Sequence, residues 1–521
     1  MKREEQIARL DGSYDVLVIG GGATGLGAAL DAAARGYTTA LVEASDFAKA
    51  TSSRSTKLVH GGVRYLQNGD VSLVREALAE RTRMRRNAPH LVGELEFVLP
   101  LFRWFEGPYY FTGLKAYDLL AGRSGFRPSG ALGRAQTLER MPGLRSDHLL
   151  GGIHYADGQF DDARLALALA RTAVDRGATV VNYARATRLL YDRGRASGAL
   201  VRDLETGAEV DVRARVVINA TGIFVDELRH KDDSRAKPLL EHSRGAHVVF
   251  ARSVFPGNDA LIVPKTDDGR VLFIIPWHGH VVIGTTDIPV EGAKLDPAPT
   301  RAEIDYIIEH ANRFLARPVT RAGALSAFAG LRPLVNRDNA SSTAKLSREH
   351  LVDVSHTGIV TITGGKWTTY RKMAEDTVDR AAREAGLART KSSTADMPLH
   401  GSPGTGAGPS DVDYALYGTD RKALHALEAE TPALRTPLDA SLPYTRTEVV
   451  YAAREEMART VDDVLSRRTR AAFLDAPAAR RATGEVAAIL ATELGRDEAW
   501  RLAQIASFEA LLASDTAALA G

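Results

Sequence analysis

The chain contains no cysteine in 521 residues. This absence excludes disulfides, thiolate-bound zinc, iron–sulfur clusters and a cofactor attached through a cysteine sulfur, and a reducing, intracellular compartment fits it. Long hydrophobic runs are also missing, since stretches such as VLFIIPW are far shorter than the roughly 18 residues of a membrane-spanning helix. The N-terminal MKREEQIARLDGSYD has no apolar stretch behind its charges, so we expect no secretory signal and contact with a membrane only from its surface.

A strong excess of charge of one sign is absent as well. Lys+Arg number 67 and Asp+Glu number 65, which gives a formal net charge of +2. We therefore expect no nucleic-acid partner, and any attraction to anions has to be local. The composition, 44% hydrophobic and 25% charged, is that of an ordinary folded protein, and the length predicts two or three domains.

The N-terminal region has the pattern of a βαβ unit. YDVLVIG is apolar like a parallel strand buried on both faces, the alanine-rich ATGLGAALDAAARG predicts a helix, and YTTALVEA predicts the next strand. Gly20, Gly22 and Gly25 have G-x-G-x-x-G spacing, which permits a tight turn and the close approach of a pyrophosphate to a helix N-terminus. Glu43 ends the second strand, where a carboxylate can bind a ribose diol. Together these features predict a dinucleotide site.

The glycine spacing alone does not distinguish FAD from NAD. A nicotinamide dehydrogenase would continue its sheet directly, but here the chain returns to strand and helix alternation only after about residue 150. GGKWTTYR, at 364–371, makes the last contribution, and short β-rich runs between about 240 and 330 predict an antiparallel domain. A discontinuous nucleotide domain with an inserted β-rich domain is a flavoprotein arrangement, which favours FAD.

We therefore predict an α/β fold with a discontinuous Rossmann-like FAD-binding domain, an inserted antiparallel β-rich substrate domain and an all-α C-terminal domain. The linker HGSPGTGAGPS precedes helical patterns only, one of them opened by Thr445 and Glu448 in capping-box spacing. The predicted boundaries are 1–90, 150–235 and 340–390 for the FAD-binding domain, 91–149 and 236–339 for the substrate-binding domain, and 400–521 for the helical domain.

Metal chemistry is not expected. The GGK sequence that ends at Lys366 is superficially similar to a P-loop, but Val360 stands where the first glycine should be. Trp367 replaces the Ser or Thr that would hold magnesium, and the chain has no H-E-x-x-H motif. The segment TSSRSTKLVHGGVRY, residues 51–65, instead gathers hydroxyls, cations, a histidine and a Gly-Gly pair directly after the nucleotide motif.

Eight segments together closely resemble the FAD-dependent glycerol-3-phosphate dehydrogenases, respiratory enzymes within the amino-acid-oxidase-like flavoproteins. The segments are GGGATGLGAALDAAARG, TSSRSTKLVHGGVRYL, DDARL, NATG, IIPW, IGTTD, GLRPL and GGKWTTYRKMAED. The resemblance covers about residue 14 to about 480, and the chain departs from the family pattern at Arg54, at Ile223 and Phe224, and at Trp367.

The resemblance implies FAD as the cofactor, held without a covalent link. The residues that it implies in FAD binding are Gly20, Gly22, Thr24, Gly25, Glu43, Thr51, Ser52, Ser53, Lys57, Gly222, Gly365, Lys366 and Thr368.

The resemblance also implies a small phosphate ester as substrate, whose binding depends mostly on charge-assisted hydrogen bonds. The implied donors are Arg64, Arg332, Lys366 and Arg371, which we expect to converge over the flavin, with Tyr65 and His247 also at the substrate. A solvated ion pair is the alternative interpretation for any one of these arginines.

The implied catalytic residues are His60, Arg332 and Lys366. The reaction would transfer a hydride from C2 of sn-glycerol 3-phosphate to flavin N5 and give dihydroxyacetone phosphate, while a base takes the hydroxyl proton. Histidine has the unperturbed pKa that suits such a base, so His60 is the first candidate, with His247 or a neutral Lys366 next. Alternatively, His60 only binds the flavin or caps the Gly-Gly turn.

The resemblance further implies a membrane quinone as electron acceptor and a cytoplasmic protein, peripheral on the cytoplasmic face of the membrane. Residues 75–90 form a candidate basic helix, and residues 101–120 contain seven aromatic residues, a combination that suits an anionic membrane surface. A solvated face and a lining of the substrate domain are the alternatives. A homodimer is left open.

Three other functions remain open at the level of sequence. One is an oxidase that returns electrons from glycerol 3-phosphate to oxygen, and another is an amine or amino-acid oxidase on the same scaffold. The third is a non-catalytic flavoprotein that uses FAD as a structural or sensing element.

Overall fold

The strands of the residues that the structure describes form two sheets. A computed structural model describes residues 1–62, 70–122, 125–264, 266–267, 269–336, 350–404 and 413–520. In chain order the strands are β1 Ser13–Ile19, β2 Thr39–Val42, β3 Leu58–Val59, β4 Val92–Leu101, β5 Gly130–Gly133, β6 Gly151–Phe160, β7 Thr179–Val181, β8 Ala184–Asp192, β9 Arg195–Asp203, β10 Glu209–Asn219, β11 Leu240–Ala251, β12 Ala260–Val263, β13 Leu272–Trp277, β14 His280–Gly284, β15 Ile288–Val290, β16 Ala324–Val335, β17 His350–Val354 and β18 Val360–Gly364.

Helices pack on both sheets and make up the C-terminal region. The α-helices are Arg3–Arg9, Ala23–Ala34, Val71–Asn87, Glu106–Ala121, Arg134–Arg140, Asp162–Asp175, Val225–Asp232, Arg301–Asn312, Tyr370–Glu384, Arg421–Glu430, Arg446–Glu455, Ala471–Leu474, Ala476–Glu493 and Glu498–Thr516.

The first sheet is the predicted nucleotide-binding sheet, with strand order β17-β18-β10-β1-β2-β7. Strand β1 pairs in parallel with β2 and β10, and its residues Val16, Leu17 and Val18 are fully buried, as its apolar sequence predicts. The helix Ala23–Ala34 packs against the helices Asp162–Asp175 and Tyr370–Glu384. The carboxyl ends of β1, β2 and β10 thus meet at one edge, where open α/β sheets bind ligands.

The second sheet is largely antiparallel and runs in the order β15-β11-β14-β13-β12-β4-β6-β3, with β16 paired to β11 and β5 to β6. Strand β6 pairs with β4 along its whole length, from Val92 opposite Phe160 to Leu101 opposite Gly151. Residues 151–160 therefore pair within the second sheet, and the helix Asp162–Asp175 that follows them packs against the helix Ala23–Ala34. The domain boundary at residue 150 stays a prediction. Strand β3 also belongs to the second sheet. These pairings join strands distant in sequence, which no local pattern reveals.

Residues 413–520 are helices and turns that share a hydrophobic core with the second sheet. In this core Val249 and Phe328 of the sheet pack with Val449, Val464 and Phe473 of the helical region. The predicted capping box is present, since the Thr445 amide donates to Glu448 Oε2 at 2.8 Å. The structure confirms the α/β fold with an inserted β-rich domain and a helical C-terminal domain.

Within the described ranges, no helix combines the length and the apolar character that crossing a membrane requires.

Candidate active site

The turn after β1 contains the glycines of the predicted nucleotide motif. Gly20 has φ +114°, a backbone conformation that favours glycine. Gly25 lies so close to this turn that a Cβ there would stand 1.9 Å from the Gly20 carbonyl oxygen. The helix Ala23–Ala34 therefore begins directly at the turn, beside a cavity that Gly20 and Gly22 line.

This cavity, which we call the nucleotide cavity, has a volume of about 410 Å³ and opens at the carboxyl ends of β1, β2 and β10. Of the residues predicted to bind FAD, it is lined by Gly20, Gly22, Glu43, Thr51, Ser52 and Gly222. The Glu43 carboxylate accepts hydrogen bonds from the amides of Gly21 at 2.6 Å and Ser45 at 2.7 Å. Burial raises the pKa of this carboxyl group.

The residues present fit a bound dinucleotide. The Ser53 hydroxyl is buried beside the cavity wall and has no hydrogen-bond partner among the described residues, a state that a bound polar group would relieve. A Cβ at Gly222, which has φ +60°, would meet no atom within 4 Å, so space is open there. With the glycine turn for a pyrophosphate and Glu43 for a ribose, this donor and acceptor set suits FAD.

Several residues predicted at the cofactor do not line the nucleotide cavity: Thr24, Gly25, Ser53, Lys57, Gly365, Lys366 and Thr368. The cofactor contact predicted for Lys57 stays a prediction. Its side chain is fully buried, and Nζ donates to the Ser53 carbonyl and to Asp162 Oδ2, both at 2.7 Å. The GGKWTT segment instead supports the cavity wall, because Trp367 Nε1 donates to the Ser52 carbonyl at 2.9 Å.

A second cavity of about 180 Å³, the Arg332 cavity, brings His60 and Arg332 together. The Arg332 guanidinium donates to the Thr286 carbonyl at 3.0 Å and to Thr285 Oγ1 at 3.1 Å, and it lies 3.3 Å from Asp287 Oδ1. These contacts fix its orientation on β16. The other polar residues of the lining are Tyr155, Asp157, Arg270, Thr285, Thr286 and Asp287.

Gly61, the residue after His60, packs closely against neighbouring side chains. A Cβ at Gly61 would stand 2.3 Å from Tyr117 Oη and 2.5 Å from a methyl carbon of Leu78. The Thr368 hydroxyl donates to the His60 carbonyl at 3.3 Å. A side chain at position 61 would therefore require Tyr117 and Leu78 to move, and glycine lets the backbone pass close to both beside the Arg332 cavity.

A hydrogen bond links the wall of the nucleotide cavity to the strand that carries Arg332. Thr51, which lines the nucleotide cavity, donates from Oγ1 to the Leu331 carbonyl at 2.7 Å. Leu331 directly precedes Arg332 on β16. The hydroxyl-rich turn at the nucleotide cavity thus packs on the strand that carries the guanidinium of the second cavity.

His247 and Arg371, predicted at the substrate, line neither cavity. His247 Nε2 lies 3.0 Å from Thr56 Oγ1, and burial, Lys57 and Arg332 lower its pKa well below the usual value, so the imidazole is neutral near pH 7. The Arg371 guanidinium forms a two-bonded ion pair with Glu80, both bonds at 2.8 Å, and its contact with the substrate stays a prediction.

The predicted convergence of four cations is thus only partly visible. Arg332 lines the second cavity, Arg371 does not, and the half-buried Lys366 lines neither cavity. Arg64 and Tyr65 lie outside the described residues.

The sequence analysis missed three cations of the nucleotide cavity, namely Lys49, Arg185 and Lys231. Lys49 stands two residues before the Thr-Ser-Ser run, and this position in the sequence indicates that it belongs to the same site. Arg185 lies on β8 and Lys231 on the helix Val225–Asp232, neither in a recognisable motif.

Comparison with known proteins agrees with this geometry. A family model described as FAD dependent oxidoreductase matches residues 15–371, and one described as the C-terminal domain of alpha-glycerophosphate oxidase matches residues 356–501. The chain is 41% identical to the mitochondrial glycerol-3-phosphate dehydrogenase of Homo sapiens, over 95% of this chain and 73% of that protein. The chain belongs to the FAD-dependent glycerol-3-phosphate dehydrogenase family.

Two further members of the family support the assignment. The mitochondrial glycerol-3-phosphate dehydrogenase of Arabidopsis thaliana is 42% identical over 92% of this chain and 82% of its own length. The crystal structure of a glycerol-3-phosphate dehydrogenase from Bacillus halodurans, complexed with FAD, is 32% identical with a TM-score of 0.81 and covers 100% of this chain and 98% of that chain. The chain is thus an FAD-dependent oxidoreductase.

Proposed function

We propose that the chain oxidises sn-glycerol 3-phosphate to dihydroxyacetone phosphate and passes the electrons to a membrane quinone. The observation that carries the proposal is the contact of Thr51 with Leu331, which places the Arg332 cavity directly beside the nucleotide cavity. FAD bound in the nucleotide cavity supplies the hydride acceptor. The names of the relatives, glycerol-3-phosphate dehydrogenases, support the choice of substrate.

In this proposal Arg332 binds the phosphate. The Arg332 cavity, at about 180 Å³, suits a three-carbon phosphate ester, which has little apolar surface and nearly two negative charges. A guanidinium already oriented by Thr285 and Thr286 can donate to phosphate oxygens without first losing its rotamer freedom. Arg64 is the proposed second donor, and it lies outside the described residues.

Oxidation removes a hydride from C2 and a proton from the C2 hydroxyl, so the site needs a proton acceptor. His60 lines the Arg332 cavity and is our proposed base, with His247 as the second candidate. We expect His60→Ala to slow reduction of the bound flavin with little change in FAD content. Its pH profile for reduction should lose one ionisation, and an unchanged profile would assign the base to His247, whose Ala variant should then lose that ionisation instead.

Anaerobic mixing tests the function directly. Purified protein with bound FAD should lose its flavin absorbance on mixing with sn-glycerol 3-phosphate, and L-amino acids or amines should leave it unchanged. The reverse pattern would favour an amine or amino-acid oxidase, and bleaching by none of these compounds would favour a non-catalytic flavoprotein. Reoxidation of the bleached protein by a soluble quinone, with a low yield of peroxide in air, would separate the dehydrogenase from an oxygen-using oxidase.

We also propose that the chain docks on an anionic membrane surface, as a peripheral protein on the cytoplasmic face. Large apolar side chains are exposed on and beside the helix Glu106–Ala121, among them Trp104 at 81% and Leu119 at 82% exposure. Leu150 is also exposed, and its amide donates to the carbonyl of Leu101, at the end of β4, at 2.9 Å. Exposed apolar and aromatic groups of this kind suit the headgroup region of a bilayer, where a quinone is accessible.

Vesicle binding tests the docking surface. Leu119→Ser should weaken co-sedimentation with anionic phosphatidylglycerol vesicles, while Leu502→Ser, at a position 54% exposed on the helix Glu498–Thr516, is the matched control. Equal binding of both variants, or no binding of the unmodified protein to anionic vesicles, would contradict the proposal. A homodimer stays a prediction that analytical ultracentrifugation of the same samples would check.

A further inference from the structure

The wall of the nucleotide cavity is held from behind by the C-terminal domain. Nine residues line the cavity between positions 42 and 52, namely Val42, Glu43, Ala44, Ser45, Ala48, Lys49, Ala50, Thr51 and Ser52. We call residues 42–53 the wall. Asp46, within the wall, and Ser53, at its end, do not line the cavity, and both are fully buried. Residues 462–470, with the sequence DDVLSRRTR, contact the wall at three points, and we call them the clamp segment.

The first point of contact is Asp46. Arg468 donates to its carboxylate through two nitrogens, at 2.5 and 2.9 Å, and Arg467 Nε donates to Asp46 Oδ2 at 2.5 Å. All three side chains are buried. A buried carboxylate shared by two guanidinium groups is stable only while both partners stay in place, because a lone buried charge is strongly destabilising.

The second point is the carbonyl of Ser53. Arg470 Nη2 donates to this oxygen at 2.8 Å and to Asp162 Oδ1 at 2.8 Å, while Lys57 Nζ donates to the same carbonyl and to Asp162 Oδ2. Arg470 therefore joins three parts of the chain, the clamp segment, the end of the wall and the helix Asp162–Asp175. None of these contacts uses a side chain that lines the nucleotide cavity.

The third point is Lys49, which lies within the wall. Its Nζ donates to Asp462 Oδ2 at 2.7 Å and lies 2.9 Å from Asp296 Oδ1. The clamp segment thus contacts the middle of the wall at Asp46 and Lys49 and its end at Ser53.

We propose that the clamp segment is a positioning part of the FAD site, through which the C-terminal domain sets how tightly the protein holds FAD. The wall between Val42 and Ser53 contains only a short 3₁₀ turn at Thr51–Ser53 as regular structure beyond the end of β2. Ordering such a segment before FAD arrives reduces the entropy lost on binding, which raises affinity without any direct contact to the ligand. The inference concerns FAD affinity alone and does not depend on which substrate is oxidised.

The test replaces Arg470 by methionine in the full-length protein. We expect Arg470→Met to raise the dissociation constant of FAD about tenfold, since one charge-assisted hydrogen bond to the wall is lost while Lys57 still pairs with Asp162. The constant is measured by titrating apoprotein with FAD and following the flavin fluorescence. Arg470→Lys restores one donor and should recover part of the affinity.

Arg171→Met is the matched control. Arg171 is also buried and joins the helix Asp162–Asp175 to the C-terminal domain, with Nη1 donating to Asp420 Oδ2 at 2.6 Å and to Tyr451 Oη at 2.7 Å. Its contacts do not include the wall. We expect this variant to melt at a lower temperature than the unmodified protein and to bind FAD with unchanged affinity.

Equal loss of FAD affinity in Arg470→Met and Arg171→Met would overturn the proposal, as would unchanged affinity in Arg470→Met. If Arg470→Met does not fold, Asp462→Asn provides the second variant, because it weakens the contacts with Lys49 and Arg467 and keeps the side-chain shape. That variant should release FAD several-fold faster than the unmodified protein and than Arg171→Met, and release at the unmodified rate would contradict the clamp. No substrate is present in these measurements, so their failure is distinct from failure of the proposed reaction.

Discussion

Replacing Arg332 by methionine removes the guanidinium from the 180 Å³ cavity and keeps much of the side-chain volume. A charge-assisted hydrogen bond contributes about 1.5 to 3 kcal/mol, and about 1.4 kcal/mol corresponds to a factor of ten. The Arg332 side chain is 30% exposed and already oriented by Thr285 and Thr286, so solvent screening is partial and little rotamer entropy is lost on binding. We therefore expect the second-order rate of flavin reduction by sn-glycerol 3-phosphate to fall about 10- to 100-fold.

The assay compares two substrates under anaerobic conditions. Glycerol lacks the phosphate and should reduce the flavin only slowly. Arg332→Met should therefore lower the rate of flavin reduction by glycerol far less than the rate of reduction by sn-glycerol 3-phosphate. Arg321→Met is the control, because Arg321 has a similar side-chain exposure, 26%, pairs with Asp305 and lies outside the cavity lining. We expect this control to reduce the flavin at the unmodified rate with both substrates.

Asp287 allows the effect of charge to be separated from that of shape. Without Arg332 its carboxylate would repel a phosphate, so the double variant Arg332→Met/Asp287→Asn should recover part of the lost rate. Equal slowing of both substrates by Arg332→Met would refute the reasoning, because the guanidinium would then act at the reacting carbon and not at the phosphate.

Three further predictions concern stability. Burial, and after it the neighbouring Arg470 guanidinium, lower the pKa of Lys57 to about 7. Between pH 7 and 10.5 the unfolded chain therefore binds more protons than the folded protein, and the free energy of unfolding should rise with pH in that range by up to a few kcal/mol. Lys57→Met should flatten this rise in urea unfolding, and a rise that persists in the variant would contradict the prediction. Burial raises the pKa of Glu448 to about 7. The protonated carboxyl group therefore adds up to about 3 kcal/mol to the free energy of unfolding below pH 4.5, and this contribution is lost as the pH rises to 7. Glu448→Gln, which can keep the capping box, should flatten that fall in thermal melts. Gly61→Ala should destabilise the protein by about 1 to 3 kcal/mol, because the new methyl group overlaps with Tyr117. Gly113→Ala is the control and should not destabilise it, since a Cβ there would meet no atom within 4 Å. Equal melting temperatures of the two variants would refute the packing argument.

Local patterns predicted the parts of the molecule that depend on neighbours in sequence. The turn at Gly20, the helix that follows it and the position of Glu43 at the end of β2 all lie within 24 residues, and the structure places them together around one cavity. The capping box of Thr445 and Glu448 is equally local. In each case steric demands or hydrogen bonds along one short segment fix the structure.

Contacts between distant residues could not be predicted in the same way. A lysine or arginine in a motif can face a ligand or a carboxylate, and for Lys57 and Arg371 the partner is a buried acid on another element, Asp162 or Glu80. The sequence carries no sign of these pairs. The sheet to which β6 belongs could not be predicted for the same reason, because it depends on the pairing of β6 with β4.

The role of the C-terminal domain belongs to this second class. Its clamp segment is a short basic stretch that composition alone would assign to a solvated face. In the structure Arg467, Arg468 and Arg470 are buried against Asp46, Asp162 and the Ser53 carbonyl. The function of these arginines follows from partners more than 300 residues away in the chain.

The central claim is that the Arg332 cavity binds sn-glycerol 3-phosphate for oxidation, with the adjoining nucleotide cavity holding the FAD that would accept the hydride from C2. The most direct measurement is the rate of anaerobic flavin bleaching by sn-glycerol 3-phosphate that carries deuterium at C2, compared with the unlabelled compound. We predict complete bleaching by both, with slower bleaching by the deuterated compound when chemistry limits the rate. Absence of bleaching by either compound in protein that holds FAD would contradict the claim.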